Sequence, residues 1–381
     1  MENRENDGFL PFARPYIGKE EIDEVVDSLK SGWLTMGPKT ETFERMVAEY
    51  TGAKHAVAVN SCTAAMHLSL LGLGICNGDE VITTPYTFAA TVNVIVQVGA
   101  KPILVDVQRD TANIDPELIR KAITKRTKAI MPVHYGGQPC DMKEIKDIAA
   151  EHNLHVIEDA AHAIGAEYDG KPIGSMSKAT CFSFYATKNI TTGEGGMVTT
   201  NDDDLALRLK ELRLHGMSAD AWKRYTKKGS WYYEIVDCGW KDNMTDPQAA
   251  LGIQQMRRMK ELRDTRRRYA QMYTIVFDVL DVTTPIEKQG RMHAFHLYPL
   301  LLKDYDRGDF IEEMGDKGIG CSVHFIPVHL HPYYRKLLGT SDGAFPNAEW
   351  FYEREVSLPL YPRMSDEDVF RVIESVKDIL H

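Results

Sequence analysis

Between about residues 54 and 200 the pattern of apolar and polar positions switches repeatedly between two periods. Short runs rich in β-branched residues alternate with segments in which apolar side chains recur every three or four positions. His55–Asn60, Asp79–Thr84, Pro102–Val107, Lys128–Val133 and Leu154–Glu158 predict strands, and Thr63–Leu73, Thr87–Val98, Pro116–Ile123 and Met142–Glu151 the helices between them. Such alternation builds a mostly parallel sheet sandwiched by helices. Ala179–Phe184 and Gly196–Thr200 add two strands with no helix between them.

A helical pattern then runs from Pro247 to about Val279. Its basic positions Arg257, Arg258, Lys260, Arg263, Arg266, Arg267 and Arg268 predict a solvated face. Strands at His296–Leu302 and Cys321–Phe325 and a closing helix at Asp366–Leu380 predict a second, smaller α/β unit. The expected fold class is α/β, with an N-terminal arm and large domain over 1–255 and a small C-terminal domain over 256–381. A chain of 381 residues is long enough for both.

Composition removes several functions. With 26% charged and 43% hydrophobic residues the chain is ordinary for a globular protein, and its net charge of -10 speaks against nucleic acid as main partner. Six scattered cysteines form no C-x-x-C pair, which suits reduced thiols in the cytoplasm. The start of the sequence is polar and acidic, without the apolar core of a secretory signal. No apolar run is long enough to span a bilayer.

The candidate chemistry centres on Lys188, 29 residues after Asp159. A lysine amine can hold an aldehyde cofactor as a Schiff base, and an aspartate at a strand end can keep a pyridine nitrogen protonated. Ser183, five residues before the lysine, offers a hydroxyl to a phosphate. Pyridoxal 5'-phosphate (PLP) uses all three. Singly, Lys188 reads as a solvated charge, Asp159 as a helix cap and Ser183 as a strand residue. The turn Asn60–Ala65 opens a helix, where free N–H groups suit a phosphate or a plain capping turn. Gly193, Gly195 and Gly196 let the backbone pass close to a ligand or form a tight turn. The near-P-loop Gly165–Lys171 is followed by Pro172 and opens no helix, so it is set aside. His324, His329 and His331 lack a completing carboxylate or cysteine, so no metal is expected.

Several longer segments carry a family resemblance: Ser31–Pro38, Glu158–Ala166, Phe182–Phe184 with Lys188, Gly193–Met197 and Asn243–Gly252. On these the chain resembles, nearly end to end, the DegT/DnrJ/EryC1/StrS sugar aminotransferases among fold-type I PLP enzymes. The resemblance implies that Lys188 forms the Schiff base and shuttles the proton, and that Asp159 pairs with the pyridinium nitrogen. It also implies that Thr63, Ala64 and Ser183 hold the phosphate with Asn243 of the partner subunit, and that Phe88 and His162 sandwich the ring. Three positions depart from the commonest pattern: Cys62 where many members have Gly, His162 where many have Gln, and Asn243 where others carry Arg.

The activity so implied is amino transfer from an amino acid such as L-glutamate to a keto sugar, a nucleotide-linked 4-keto-6-deoxy hexose, in a cytoplasmic homodimer with shared sites. A cyclitol or 3-keto sugar acceptor is the alternative. The family's sugar 3-dehydratases replace the lysine by histidine, and Lys188 speaks against that outcome. A non-catalytic regulatory homologue would not need Lys188 and Asp159 together. The basic and aromatic segment Trp222–Tyr233 is either a nucleotide-binding loop or a solvated one.

Overall fold

Seven strands form the central sheet, and the computed structural model describes residues 8–218 and 232–380. In chain order they are β1 (His55–Val59), β2 (Glu80–Thr83), β3 (Lys101–Leu104), β4 (Thr127–Ile130), β5 (His155–Asp159), β6 (Ala179–Ser183) and β7 (Gly196–Thr200). Their spatial order is β1-β7-β6-β5-β4-β2-β3. From β3 to β6 neighbours run parallel, while β7 is antiparallel to both β6 and β1. The link from Ser183 to Gly196 holds no helix, so the chain returns antiparallel.

Neighbouring residues on one strand serve opposite cores, as a pleated strand requires. Ala58, Ile82, Phe182 and Met197 join one cluster, and Val57, Val59, Val81, Cys181 and Val198 the other. A third cluster gathers Leu10, Tyr269, Tyr273, Phe310, Val356 and Val372. It surrounds a three-stranded antiparallel sheet of Val282–Thr283, Tyr298–Leu302 and Glu355–Leu358.

Three expectations need correction. The single helix expected from Pro247 is two, Asp246–Arg257 and Met259–Phe277, parted at Arg258, whose φ of -99° and ψ of 5° leave the helical region. Cys321–Phe325 is no strand: only Ser322 pairs, across to Ser357. The basic run is not simply solvated. Arg263 reaches Glu167, Arg267 reaches Glu287 and Arg268 reaches Asp366. Arg266 is buried and donates to the carbonyl of Leu360 at 2.6 Å and to those of Phe295 and His296 at 3.4 Å. A guanidinium presents several donors in one plane, which suits it to collecting carbonyls from separate segments.

Asp246, in the segment that resembled a cofactor-site motif, has a structural task. Its carboxylate accepts from the N–H groups of Gly37 (2.8 Å), Lys39 (3.1 Å) and Thr40 (3.0 Å), at the start of helix Pro38–Thr51. An anion there meets the helix's unpaired N–H groups and positive end. The preceding helix, Lys19–Ser31, is turned the unusual way: Glu21 and Ser28 face inward, while Ile22, Val26 and Leu29 are exposed. Among the described residues no helix is long and apolar enough to cross a membrane.

Candidate active site

The carboxyl ends of the parallel strands open on a cavity of about 470 Å³. Its walls include Thr63, Phe88, Asp159, His162, Ser183 and Lys188. Strand order explains the gathering, since ligands of open α/β sheets bind outside the strands' carboxyl ends.

Asp159 is the last residue of β5 and is buried. Its Oδ2 accepts from Thr91 Oγ1 at 2.7 Å and its Oδ1 from the Ala161 N–H at 3.1 Å. Thr87 supports Thr91 in turn, hydroxyl to hydroxyl, at 2.7 Å. Burial pushes the Asp159 carboxyl above its ordinary range, against the pull of those two hydrogen bonds and of Lys188. A cation in front of it would offset that burial.

Lys188 sits in the turn after β6, its N–H donating to the Tyr185 carbonyl at 2.9 Å. The next residue, Asn189, ties the turn to the Ala294 carbonyl at 2.9 Å. Burial lowers the Lys188 amine to about 8, against the pull of Cys62 and Asp159. A desolvated amine of this kind is neutral often enough near neutral pH to act as a nucleophile. Its Nζ lies 3.4 Å from His296 Nε2. The ring of His296 stands 4.4 Å from that of His162, whose Nδ1 accepts from the Gly136 N–H at 3.3 Å. Both imidazoles are held well below their usual range, first by burial and then by Lys188, so both are neutral.

Thr63 and Ala64 open helix Cys62–Gly72, which Ser61 caps by accepting the Ala64 N–H at 3.1 Å. The cap leaves the first-turn N–H groups of Cys62 and Thr63 without a helical partner. Gly196, at the start of β7, lies so close to this turn that a Cβ there would stand 2.3 Å from the Ser61 backbone. That glycine serves the approach of two backbone segments. Ser183 completes this side of the cavity.

Not every expected residue is a wall. Ala64 lies behind Thr63, facing a separate hollow with His67 and Trp240. Asn243 bridges Val59 at the sheet edge, with its Nδ2 donating to the Met244 carbonyl at 3.1 Å and its Oδ1 accepting from Lys241. Its expected task concerns a second subunit. Phe88 is 63% exposed at the cavity mouth. Phe325 packs 5.9 Å from the rings of both Phe88 and His162. Most of the segment Trp222–Tyr233 lies outside the described residues; Tyr232 and Tyr233 are exposed.

Sequence reasoning missed His296, Phe325 and His324 as cavity residues, and the buried pair of Glu158, beside Asp159 on its strand, and His134. Glu158 is fully buried, with Oε1 accepting from Thr180 Oγ1 at 2.9 Å and Oε2 lying 2.8 Å from His134 Nε2. His134 Nδ1 already accepts from the Cys140 N–H at 3.0 Å, so its proton is on Nε2 and points at Glu158. The segment that supplied the metal question separates: His324 faces the cavity, while His329 pairs with Glu349 at 2.8 Å.

The model of the DegT/DnrJ/EryC1/StrS aminotransferase family matches residues 15–377. The chain belongs to that family. The spore coat polysaccharide biosynthesis protein SpsC of Bacillus subtilis is 52% identical over 378 residues, covering 98% of this chain and 97% of its own. The putative sugar aminotransferase Spr1654 of Streptococcus pneumoniae, in its PMP form, superposes with a TM-score of 0.92 at 36% identity, over 97% of this chain and 98% of its own. PseC of Helicobacter pylori, an aminotransferase of pseudoaminic acid biosynthesis, gives 0.90 at 32% identity over 98% and 99%. The aminotransferase described here is a PLP-dependent sugar aminotransferase of fold type I. Its residues fit that cofactor: a desolvated amine, a buried carboxylate and a helix start with free N–H groups meet around one cavity.

Proposed function

We propose that this aminotransferase moves an amino group from an amino acid, L-glutamate, to a nucleotide-linked 4-keto-6-deoxy hexose. The observation that carries the reading is the shared cavity of Lys188 and Asp159, open at a mouth of exposed aromatic rings, Phe88 and Tyr185. SpsC and PseC, named for polysaccharide and pseudoaminic acid biosynthesis, support a sugar destined for a glycan.

Bound PLP supplies an electron sink for the carbon that loses its proton. The rest belongs to the chain. Asp159, positioned by Thr91 and the Ala161 N–H, holds the pyridine nitrogen in its protonated state. Lys188 would anchor the aldehyde, and its Nζ is the amine that would hold and move the proton at the reacting carbon. Thr63 and Ser183, with the helix start behind them, would hold the phosphate, and His162 and Phe88 would flank the ring. One cofactor serves both halves, so donor and acceptor take turns in one cavity.

The enzyme acts as a homodimer in this reading, with Asn243 of the partner subunit completing the phosphate site. The outward apolar stripe of Ile22, Val26 and Leu29 supports burial against a second copy. The six cysteines are free, which suits the cytoplasm.

The test converts the enzyme to its amine form with L-glutamate and then offers nucleotide-linked 4-keto and 3-keto hexoses and a free keto cyclitol. The aldehyde form's visible absorbance should return with the nucleotide-linked 4-keto sugar. Return with the cyclitol alone would overturn the acceptor assignment.

A further inference from the structure

Opposite the sheet, the cavity wall is completed by His324. Its Nδ1 lies 2.9 Å from Ser357 Oγ, and Ser357 Oγ contacts Glu355 Oε1. Glu355 Oε2 accepts the backbone N–H of His324 at 2.8 Å. The Tyr135 hydroxyl holds the His324 carbonyl at 2.6 Å, and Phe12 packs on its ring at 5.2 Å. A closed loop of hydrogen bonds therefore joins a wholly buried carboxyl, a hydroxyl and one ring nitrogen. The other nitrogen, Nε2, has no hydrogen-bond partner among the described residues.

We propose that Glu355, acting through Ser357, decides which nitrogen of His324 carries the ring proton, and that the neutral carboxyl makes Nε2 a hydrogen-bond donor to an oxygen of the bound substrate. The assignment follows from counting protons along the chain. When Glu355 is protonated, Oε1–H donates to Ser357 Oγ, and Ser357 Oγ–H donates to His324 Nδ1. The ring's one proton is then on Nε2, toward the cavity. When Glu355 is ionised, both carboxylate oxygens accept, Ser357 donates to Oε1, and Ser357 Oγ accepts from His324 Nδ1–H. Nε2 then offers a lone pair. Going from the first state to the second releases one proton to solvent and shifts the others by one atom each.

Burial raises Glu355 to about 8, against hydrogen bonds from Ser357 and His324 N–H and the more distant Arg307, so the donor state holds at neutral pH. The other groups around Glu355 do not change charge there. Tyr86 and Tyr135 are pushed well above their usual range by burial, and Cys321 is pushed up to about 12. Burial lowers His324 itself to about 4. Facing it across the cavity, His162 and His296 are neutral, and Lys188 titrates at about 8.

The receiving oxygen belongs to the amino donor's carboxylate or to the sugar, since both occupy the cavity in turn; this step rests on the proposed reaction. Glu355→Gln separates the ionisation of Glu355 from that of Lys188, because an amide keeps the size and both hydrogen bonds yet never ionises. In the holoenzyme with 15N-labelled histidine, the His324 resonances, assigned with a His324→Gln variant, should show Nε2 protonated at pH 7. They should show Nδ1 protonated at pH 9 in the parent enzyme only. This readout needs no substrate and survives failure of the acceptor assignment.

In single-turnover assays, apparent KM should rise about tenfold between pH 7 and 9 in the parent, the worth of one hydrogen bond. That rise should be missing from Glu355→Gln, leaving only the pH dependence of Lys188, which is common to both enzymes. A rise with L-glutamate as probe assigns the carboxylate, and a rise with dTDP-4-keto-6-deoxyglucose assigns the sugar. Ser357→Ala, a smaller change, should raise KM at pH 7 and remove the parent's pH difference. Nδ1 protonation at pH 7, identical titration in parent and Glu355→Gln, or no KM change in either arm would overturn the proposal.

Discussion

The two walls of the cavity are built differently. The sheet wall offers Asp159 and Ser183 from the ends of β5 and β6 and Lys188 from the turn after β6, with Thr63 at a helix start. The opposite wall offers His296, His324 and Phe325 from segments outside regular structure. On the first, backbone hydrogen bonding of the sheet fixes positions before any side chain contributes. On the second, side chains hold the backbone: Arg266 collects carbonyls, and Tyr135 and Glu355 grip His324. Phe295, beside His296, sits at φ 45°, which a bulky residue adopts only where its surroundings insist. Chemistry thus stands on a wall held by backbone ladders, and the wall opposite is held by side chains.

The sharpest break of that contrast is Lys188→Ala. Loss of anchor and proton carrier together should lower turnover by at least roughly 1,000-fold with the fold intact, as circular dichroism would report. Turnover within tenfold of the parent would show that the sheet wall does not carry the reaction. Next, Asp159→Asn should still bind PLP but lose roughly 100-fold in rate, since an amide cannot hold the pyridine nitrogen charged. An unchanged rate in stopped-flow half-reactions would assign that nitrogen to another group.

Gly196→Ala probes the same wall without touching substrate. Its new methyl would meet the Ser61 backbone, costing about 1–3 kcal/mol in thermal or urea unfolding and weakening PLP retention. A fourth effect concerns pH. Lys188 is a base whose value is lowered, so its neutral, nucleophilic form grows as pH rises through about 8. Capture of PLP by apoenzyme, followed by visible absorbance, should accelerate from pH 7 and level off above 9. The smallest change is expected from His296→Gln. Burial dominates the lowering of Lys188, so the midpoint should stay near 8. A shift of a full unit would mean that the second wall governs the amine.

The same contrast explains what was legible in the sequence. Each sheet-wall residue follows a short apolar run or opens a helix, and such patterns announce strand ends and helix starts. Asp159 and Lys188 were therefore found from spacing and chemistry, and the central sheet with them. His296 and His324 carry no period. They reach the cavity because Arg266, Asn189 and Glu355 hold their segments, and each of those partners is far away in the sequence. Cys321–Phe325 looked like a strand for the related reason that its composition is β-prone while its only ladder partner among the described residues is Ser357. The basic run misled likewise. Seven cations on a helix describe a face, but not that one of them, Arg266, would be buried under three carbonyls.

Phe12 lines the cavity and packs on His324, and two residues before it Leu10 bridges to Ile319. Synthesis proceeds from one end, so the first aromatic side chain of the pocket must wait for a partner made near the other. The nascent chain can complete β1 to β7 and still lack the wall that closes over them. Firm capture of PLP is then a property of the finished polypeptide, and a chain cut short after the central sheet would leave its amine open to water and to any passing aldehyde.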